Sequence, residues 1–479
     1  MIDVHASATS HLNHLARGDY TAAELLEAHF DQIDRHDGNV RALVWQDRDA
    51  ARRIAASVQG RPDETRPLLG LSITVKESFN VTGAPTTWGI PAFRDNIATS
   101  DAVTVERFRA AGAIVFGKTN VPENLADWQS YNPVYGTTNN PWNLERSPGG
   151  SSGGSGASLA SGFAALELGS DIGGSIRNPA HFNGVFGHKP TWGLIPSRGH
   201  ALPPAIAEPD IAVVGPLARS AFDLELALDV LARPDLLDKG MRYELKGLPY
   251  RNLGRLRVGV WANDEICQVS RETESRVRKV ADALAQSGAI VNYEARPDFT
   301  AQHNHDVYTA LLWSFMAVGF PDEQYNQLKA AAAQIPEGAN DPASRMPKIL
   351  TLSHRDWIRY NNMRDYLRWA WHRFFQNYDI LLAPQSSTAA FPHDHSPPEQ
   401  RILMVDGKSQ DYMQQIFWAG ITGISRLPST VIPTGVGAEG LPIGVQIVGN
   451  AWDDRLTIQV AQELERRGFA FTPPPAMRI

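Results

Sequence analysis

One cysteine, Cys267, occurs among 479 residues. A lone thiol excludes an internal disulfide framework and a multi-cysteine metal site, and Cys267 reads as a small, partly buried apolar residue. Long apolar runs are also missing: no stretch nears the roughly 18 to 20 residues a membrane helix needs. The opening MIDVHASATSHLNHL carries no positive leader followed by an apolar segment, so it does not read as a signal peptide. There is no block of like charges and no basic stripe, and the formal net charge is -7. These absences argue against nucleic acid or a membrane as partner, and the expected compartment is the cytoplasm. No internal repeat and no clear linker interrupts the chain, which favours one domain over residues 1–479.

What remains is the composition of a globular protein, 43% hydrophobic and 20% charged, long enough for a sizeable core. Residues 7–60 read as helices, with Leu12, Leu15, Leu25, Leu26, Phe30 and Ile33 at helical spacing. The run LLGLSITVK reads as a strand ending at Lys76, followed by a helix over 101–111 and a strand over 113–116. Strand–helix–strand signals return at 255–295 and again near the C-terminus, so the class is α/β. Residues 300–420 form a helical, variable region rich in tryptophan (Trp313, Trp357, Trp369, Trp371), either helix-packing core or the substrate side of a site. Between 147 and 193 lie twelve glycines and eight serines, interleaved with FAALEL and FNGVFG, which no polar spacer carries. This stretch predicts a Gly/Ser loop, a helix near 155–162, a strand near 164–169, a Gly173-Gly174 turn and a helix starting near Ser175.

Three motifs mislead. Gly112–Thr119 (GAIVFGKT) matches the phosphate-loop pattern, but Ala-Ile-Val-Phe reads as buried strand and cannot also cradle phosphate. Gly149–Gly153 (GGSSG) matches a nucleophile elbow, yet the preceding NLERSP is no strand. His303/His305 and His393/Asp394/His395 sit in polar, loop-like stretches and read as solvated surface histidines rather than metal ligands.

The remaining constellation is Lys76, Ser151 and Ser175. With SITVKESFNVTGAPTTWG, KTNVPEN, YGTTNNPWN, SPGGSSGGSGA, GSDIGGSIRNPAHFNGVFGHKPT and GLPIGVQIVG in order from about 68 to 449, the chain resembles the amidase signature family. That resemblance implies a single α/β/α sandwich around a large mixed β-sheet of about ten strands. It also implies a Ser-Ser-Lys relay: Ser175 as nucleophile, Ser151, in a cis peptide bond, as bridge, and Lys76 as base. Backbone N–H groups of Ile172, Gly173, Gly174 and Ser175 match the oxyanion hole. Leu125, Ala126 and Trp128 match the lining of an acyl pocket, and Asn178 is a further candidate substrate contact. Glu77, where many members carry Asp, and His188, where Leu is usual, depart from the pattern without touching the relay.

The chemistry fits these parts. At a reference pKa near 10.4, a lysine is neutral in about one molecule in 2,500 at pH 7. To act as base, Lys76 must be desolvated, and its place after LSITV fits burial. The glycines before Ser175 let N–H groups converge on one spot, where losing a single donor costs about 3 to 4 kcal/mol. No metal or organic cofactor is required. The reading is an amidohydrolase acting on a small, hydrophobic or aromatic amide through a Ser175 acyl-enzyme. Its rivals are a carbamate or ester hydrolase on the same relay, and a glutaminase subunit of a tRNA-dependent amidotransferase. The partner is a small-molecule substrate, with a homodimer left open.

Overall fold

In the computed structural model the alternating strand and helix signals resolve into one mixed sheet with helices on both faces. The structure describes residues 2–247, 253–336, 338–339 and 341–477. Eleven strands join edge to edge, against about ten expected. Their order is Leu43–Gln46, Ile114–Thr119, Ser72–Lys76, Glu167–Asp171, Val213–Ala218, Phe186–Lys189, Ser429–Val436, Pro442–Val448, Ile380–Pro384, Arg257–Val260 and Ile290–Asn292. The Ser72–Lys76 strand runs parallel to both neighbours, Ile114–Thr119 and Glu167–Asp171. Every residue of it is buried, as expected where both faces of a parallel segment are covered.

Side-chain alternation assigns the two faces. Val214 and Ala218 join a large apolar cluster with Phe108, Leu224, Val280 and Ile458 from four outer helices. Leu217, from the same strand, turns the other way. It packs with Leu159, Ala160, Ile176 and Ala180 of the segments that hold the Gly/Ser-rich motif. The motif therefore lies pressed on the sheet rather than in a spacer. Its helices span Gly153–Ser161 and Arg177–Asn183, close to the positions the sequence suggests.

The phosphate-loop lookalike is strand: Ile114–Thr119 is buried throughout and pairs with Ser72–Lys76, so its backbone serves the sheet. The N-terminal helices are Ala8–Arg17, Ala22–Val40 and Arg48–Ser57, the second closed by a capping box of Thr21 and Glu24. Between them lies a strand the helical reading missed, Leu43–Gln46, whose four residues are all half-buried and carry no alternation. His303 and His305 are corrected from loop to helix: Thr300 accepts from the His303 N–H and starts Ala301–Met316. His305 and His393 are also half-buried rather than solvated. Of the four tryptophans, Trp371 is core, stacked on Phe375 and edge to face with Phe299 and Phe374, whereas Trp369 is 63% exposed.

A histidine group ties the N-terminal helices to the central sheet. His29 Nδ1 lies 2.7 Å from Ser72 Oγ, at the head of the strand that carries Lys76. His11 Nδ1 lies 2.7 Å from Tyr20 Oη, and the His11 and His29 rings meet edge to face. Burial, aided by the Arg219 charge, lowers His11 to about 3, and burial likewise takes His5 to about 4 and His29 well below its ordinary value. These rings stay neutral in the folded chain but gain protons in the unfolded one below about pH 6.5. Stability is thus full above that pH and lost as pH falls toward the folded values, by about 1.4 kcal/mol per pH unit for each histidine. Thermal unfolding between pH 7 and pH 4 should show a steeply falling midpoint; a midpoint indifferent to pH over that range would contradict this account.

Candidate active site

Lys76 ends its strand fully buried, and its ammonium nitrogen donates to two hydroxyls, Ser151 Oγ at 2.6 Å and Ser170 Oγ at 2.9 Å. Burial lowers the amine from its ordinary value to about 7, the charges of Asp171 and Glu77 only partly opposing it. At neutral pH a large fraction of Lys76 is therefore the free amine. The Gly150–Ser151 peptide bond is cis. A Cβ at Gly150 would come within 2.3 Å of the Asp127 carbonyl oxygen, so only glycine fits this approach. Ser152 N–H donates to the Ser175 carbonyl at 3.1 Å, which draws the Ser151 turn against the Ser175 loop.

That loop is shaped by an ion pair. Asp171 and Arg177 are both fully buried and joined through two nitrogens, Nε and Nη2, each 3.0 Å from a carboxylate oxygen. Burial alone would raise the Asp171 carboxyl; the Arg177 guanidinium, together with the Lys189 charge and the Ile176 N–H, outweighs it and holds it at about 2. The carboxylate also accepts from the N–H groups of Gly174 and Ile176, bending 171–177 into one turn with Gly174 at φ 98°. The rest of the Arg177 fork reaches Thr422 Oγ1, Gln446 Oε1 and the Ala419 carbonyl. Arg177 is a structural cation here, not a substrate contact.

Carbonyl partners set the direction of the loop's N–H groups, because C=O and N–H point opposite ways across a trans peptide. Tyr308 Oη donates to the Ile172 carbonyl at 2.8 Å, which turns the Gly173 N–H the other way. The Asn178 N–H donates to the Gly174 carbonyl at 2.6 Å, which does the same for the Ser175 N–H. Trp128 Nε1 donates to the Gly173 carbonyl at 2.8 Å, and the Gly174 N–H is taken by Asp171 Oδ1 at 2.8 Å. Of the four expected oxyanion donors, Gly174 is thus engaged. Among the described residues the N–H groups of Ile172, Gly173 and Ser175 make no hydrogen bond.

Ser175, Gly173 and Ile172 open onto a cavity of about 50 Å³. Leu125, Ala126 and Trp128 line it, and so do residues no motif marked: Leu312, Trp313, Met316, Tyr412, Met413 and Ile416. These come from the Trp-rich 300–420 region, for which the sequence left core and substrate side as alternatives. Asn178 is not in the lining. Its Oδ1 accepts the Gly150 N–H at 3.2 Å and so supports the Ser151 turn instead. Among the described residues Asp127 is the single carboxylate of the wall, and Arg401 Nη1 at 2.6 Å and Tyr412 Oη at 2.6 Å satisfy it. Among the same residues no lysine, arginine or histidine lines the cavity.

Neither departure hydrogen-bonds the relay, though the Glu77 charge bears on Lys76. Glu77 accepts from the N–H groups of Thr87 and Trp88, and His188 bridges Thr430 and Asp454 in the core. Among the described residues no group of three His, Cys, Asp or Glu could hold a metal ion, and no helix is long and apolar enough to cross a membrane.

A buried lysine against serine hydroxyls, beside a glycine turn that opens on a cavity, is an arrangement suited to acyl transfer. Comparison with known proteins gives it a family. The Amidase family model matches residues 24–458, and the chain belongs to that family. It is 32% identical to an indoleacetamide hydrolase of Bradyrhizobium diazoefficiens, over 94% of this chain and 84% of that protein. It is 31% identical to a glutamyl-tRNA(Gln) amidotransferase subunit of Roseiflexus sp., over 94% of each. Among solved structures, 6-aminohexanoate cyclic dimer hydrolase superposes with a TM-score of 0.81 at 26% identity, covering 100% of both chains. The protein is an amidohydrolase, an enzyme that hydrolyses carbon–nitrogen amide bonds.

Tyr308, which no motif signalled, is expected to act through the loop. Tyr308→Phe frees the Ile172 carbonyl and lets the Gly173 N–H turn, so kcat should fall about five- to tenfold, equivalent to about 1 kcal/mol, with KM little changed. Steady-state kinetics on any turned-over amide checks it. An unaltered kcat would separate Tyr308 from the loop's orientation.

Proposed function

We propose that this amidohydrolase cleaves small hydrophobic or aromatic amides through an acyl-enzyme on Ser175, with Lys76 as base relayed through Ser151. The observation that carries the reading is the 2.6 Å contact between the fully buried Lys76 amine and Ser151, beside the Ser175 loop. In the first step Ser175 Oγ bonds to the acyl carbon, passes its proton to Ser151, and Ser151 passes its own to the neutral Lys76 amine. The N–H groups of Gly173 and Ser175, with that of Ile172, receive the developing oxyanion. The C–N bond then breaks, and the proton returns by the same route to the departing amine. Water repeats the sequence to release the acid. The same relay would also serve an ester or carbamate carbon. Strands from Leu43 to Val448 share one sheet, which supports reading the whole chain as one catalytic domain.

The cavity lining supports the apolar substrate over glutamine. Sequence identity does not discriminate, since the indoleacetamide hydrolase and the amidotransferase protein stand one point apart, at 32% and 31%. A glutamine α-carboxylate would need a cation, and the wall holds none; Arg401, behind it, is already committed to Asp127. Each methylene buried against Trp128, Leu312, Trp313 and Met316 adds about 0.8 kcal/mol to binding.

A fluorophosphonate probe should label Ser175, and Lys76→Ala should lower turnover at least about 100-fold without unfolding the chain. With the amine near 7, kcat/KM should rise with pH through neutrality, because the base works only when unprotonated. Mapping the label to Ser151, or near-normal turnover by Lys76→Ala, would displace the relay. Across acetamide, butyramide, benzamide, an acyl anilide and glutamine, kcat/KM should climb at least about tenfold from acetamide to the phenyl or four-carbon acyl group. Preference for glutamine would restore the amidotransferase reading.

A further inference from the structure

One buried carboxyl has no part in this relay. Glu167 opens the Glu167–Asp171 strand and is fully buried. Its neighbours across the sheet are Thr74, two residues before Lys76, and Leu217. Thr74 Oγ1 donates to Glu167 Oε1 in a short hydrogen bond, and the same hydroxyl lies 3.3 Å from Ser158 Oγ. Ser155 and Ser158, on the helix that follows Ser151, both face the carboxyl. Glu167 Oε2 is buried without a hydrogen-bond partner among the described residues.

Nor, among the described residues, does any cation pair with it. On the elements packed around Glu167, Lys76 serves Ser151 and Ser170, and Lys118 serves the Pro85 carbonyl and Thr86. Asp171 is paired with Arg177, His29 with Ser72, and Arg219 with the carbonyls of Ala6, Leu159 and Ala164. The Gly153–Ser161 helix holds no titratable residue. A carboxylate here would be a buried charge with hydroxyl donors but no paired cation, whereas a neutral acid has one O–H to donate toward the serine oxygens.

We propose that Glu167 is a positioning residue held as a neutral acid, pinning together the strand of Lys76, the helix behind Ser151 and the strand that leads to Ser175, and that a charge on it slackens the site. Burial pushes this carboxyl up to about 8, so the pin holds at neutral pH and opens above it. The kinetic consequence rests on the relay proposed above; the effect on stability does not.

Glu167→Gln, which keeps the shape and the hydrogen bonds without an ionisable proton, provides the test. Wild-type kcat/KM should fall about tenfold from its plateau by pH 9. The variant should stay within about threefold of the wild type at pH 7 and lack that alkaline limb, with the limb below neutrality intact. Melting curves give the second readout. A raised carboxyl favours folding below its unfolded value, and that advantage is lost as pH rises through the folded value. The wild-type midpoint, relative to that of the variant, should therefore decline from about pH 5 to pH 8 and level off above. An alkaline limb that persists in Glu167→Gln, or a melting difference that does not change with pH, would overturn the proposal. If the Lys76 relay itself failed, the melting difference would still decide the case for Glu167.

Discussion

The site depends on one constraint, the burial of the Lys76 amine among hydroxyls rather than carboxylates. Ser151 and Ser170 offer it oxygens that accept hydrogen bonds but carry no charge. The amine thus meets the cost of desolvation without a contact ion pair to offset it, and the neutral form becomes accessible near pH 7. A carboxylate at the same distance would fix the proton and leave an ordinary ammonium. Sheet position enforces the arrangement: Lys76 ends a strand buried along its whole length, between two parallel partners.

Charge near the site is managed by pairing it elsewhere. Asp171 is satisfied by Arg177 and by the loop's own N–H groups, so it shapes the Ser175 turn with limited pull on Lys76. Asp127 is satisfied in the same way by Arg401 and Tyr412, so the carboxylate in the cavity wall is already committed. Buried pairs of this kind add little net stability, but removing one member leaves an uncompensated charge. Their role here is geometric. One orients a backbone turn, and the other keeps an apolar pocket free of unpaired charge.

The aromatic residues divide along similar lines. Trp371 fills core among phenylalanines. Trp128 and Tyr308 combine an apolar body with one polar atom, and both spend that atom on loop carbonyls, at Gly173 and Ile172. Trp128 faces the cavity while doing so, which joins substrate wall and loop geometry in one side chain.

Local patterning by itself determined the α/β class, the strand leading to Lys76, the helices of the Gly/Ser-rich motif and the strand nature of the phosphate-loop lookalike. Each is a matter of nearest-neighbour chemistry: apolar runs, glycine turns and caps act within a few residues. The Lys76, Ser151 and Ser175 candidates were legible too, since their glycine and serine contexts are long and specific. Tertiary structure alone decided what those residues touch. That Asn178 supports Gly150 and lies outside the cavity lining, and that Leu312, Trp313 and Met413 join Leu125 around one cavity, depend on contacts between segments as much as about 290 residues apart. The tryptophans of 300–420 left core and substrate side as alternatives, because side-chain type records a tendency to be buried and not the partner. The strand Leu43–Gln46 was missed for the same reason: four half-buried residues carry no alternation, and only pairing with Ile114–Thr119 makes them a strand.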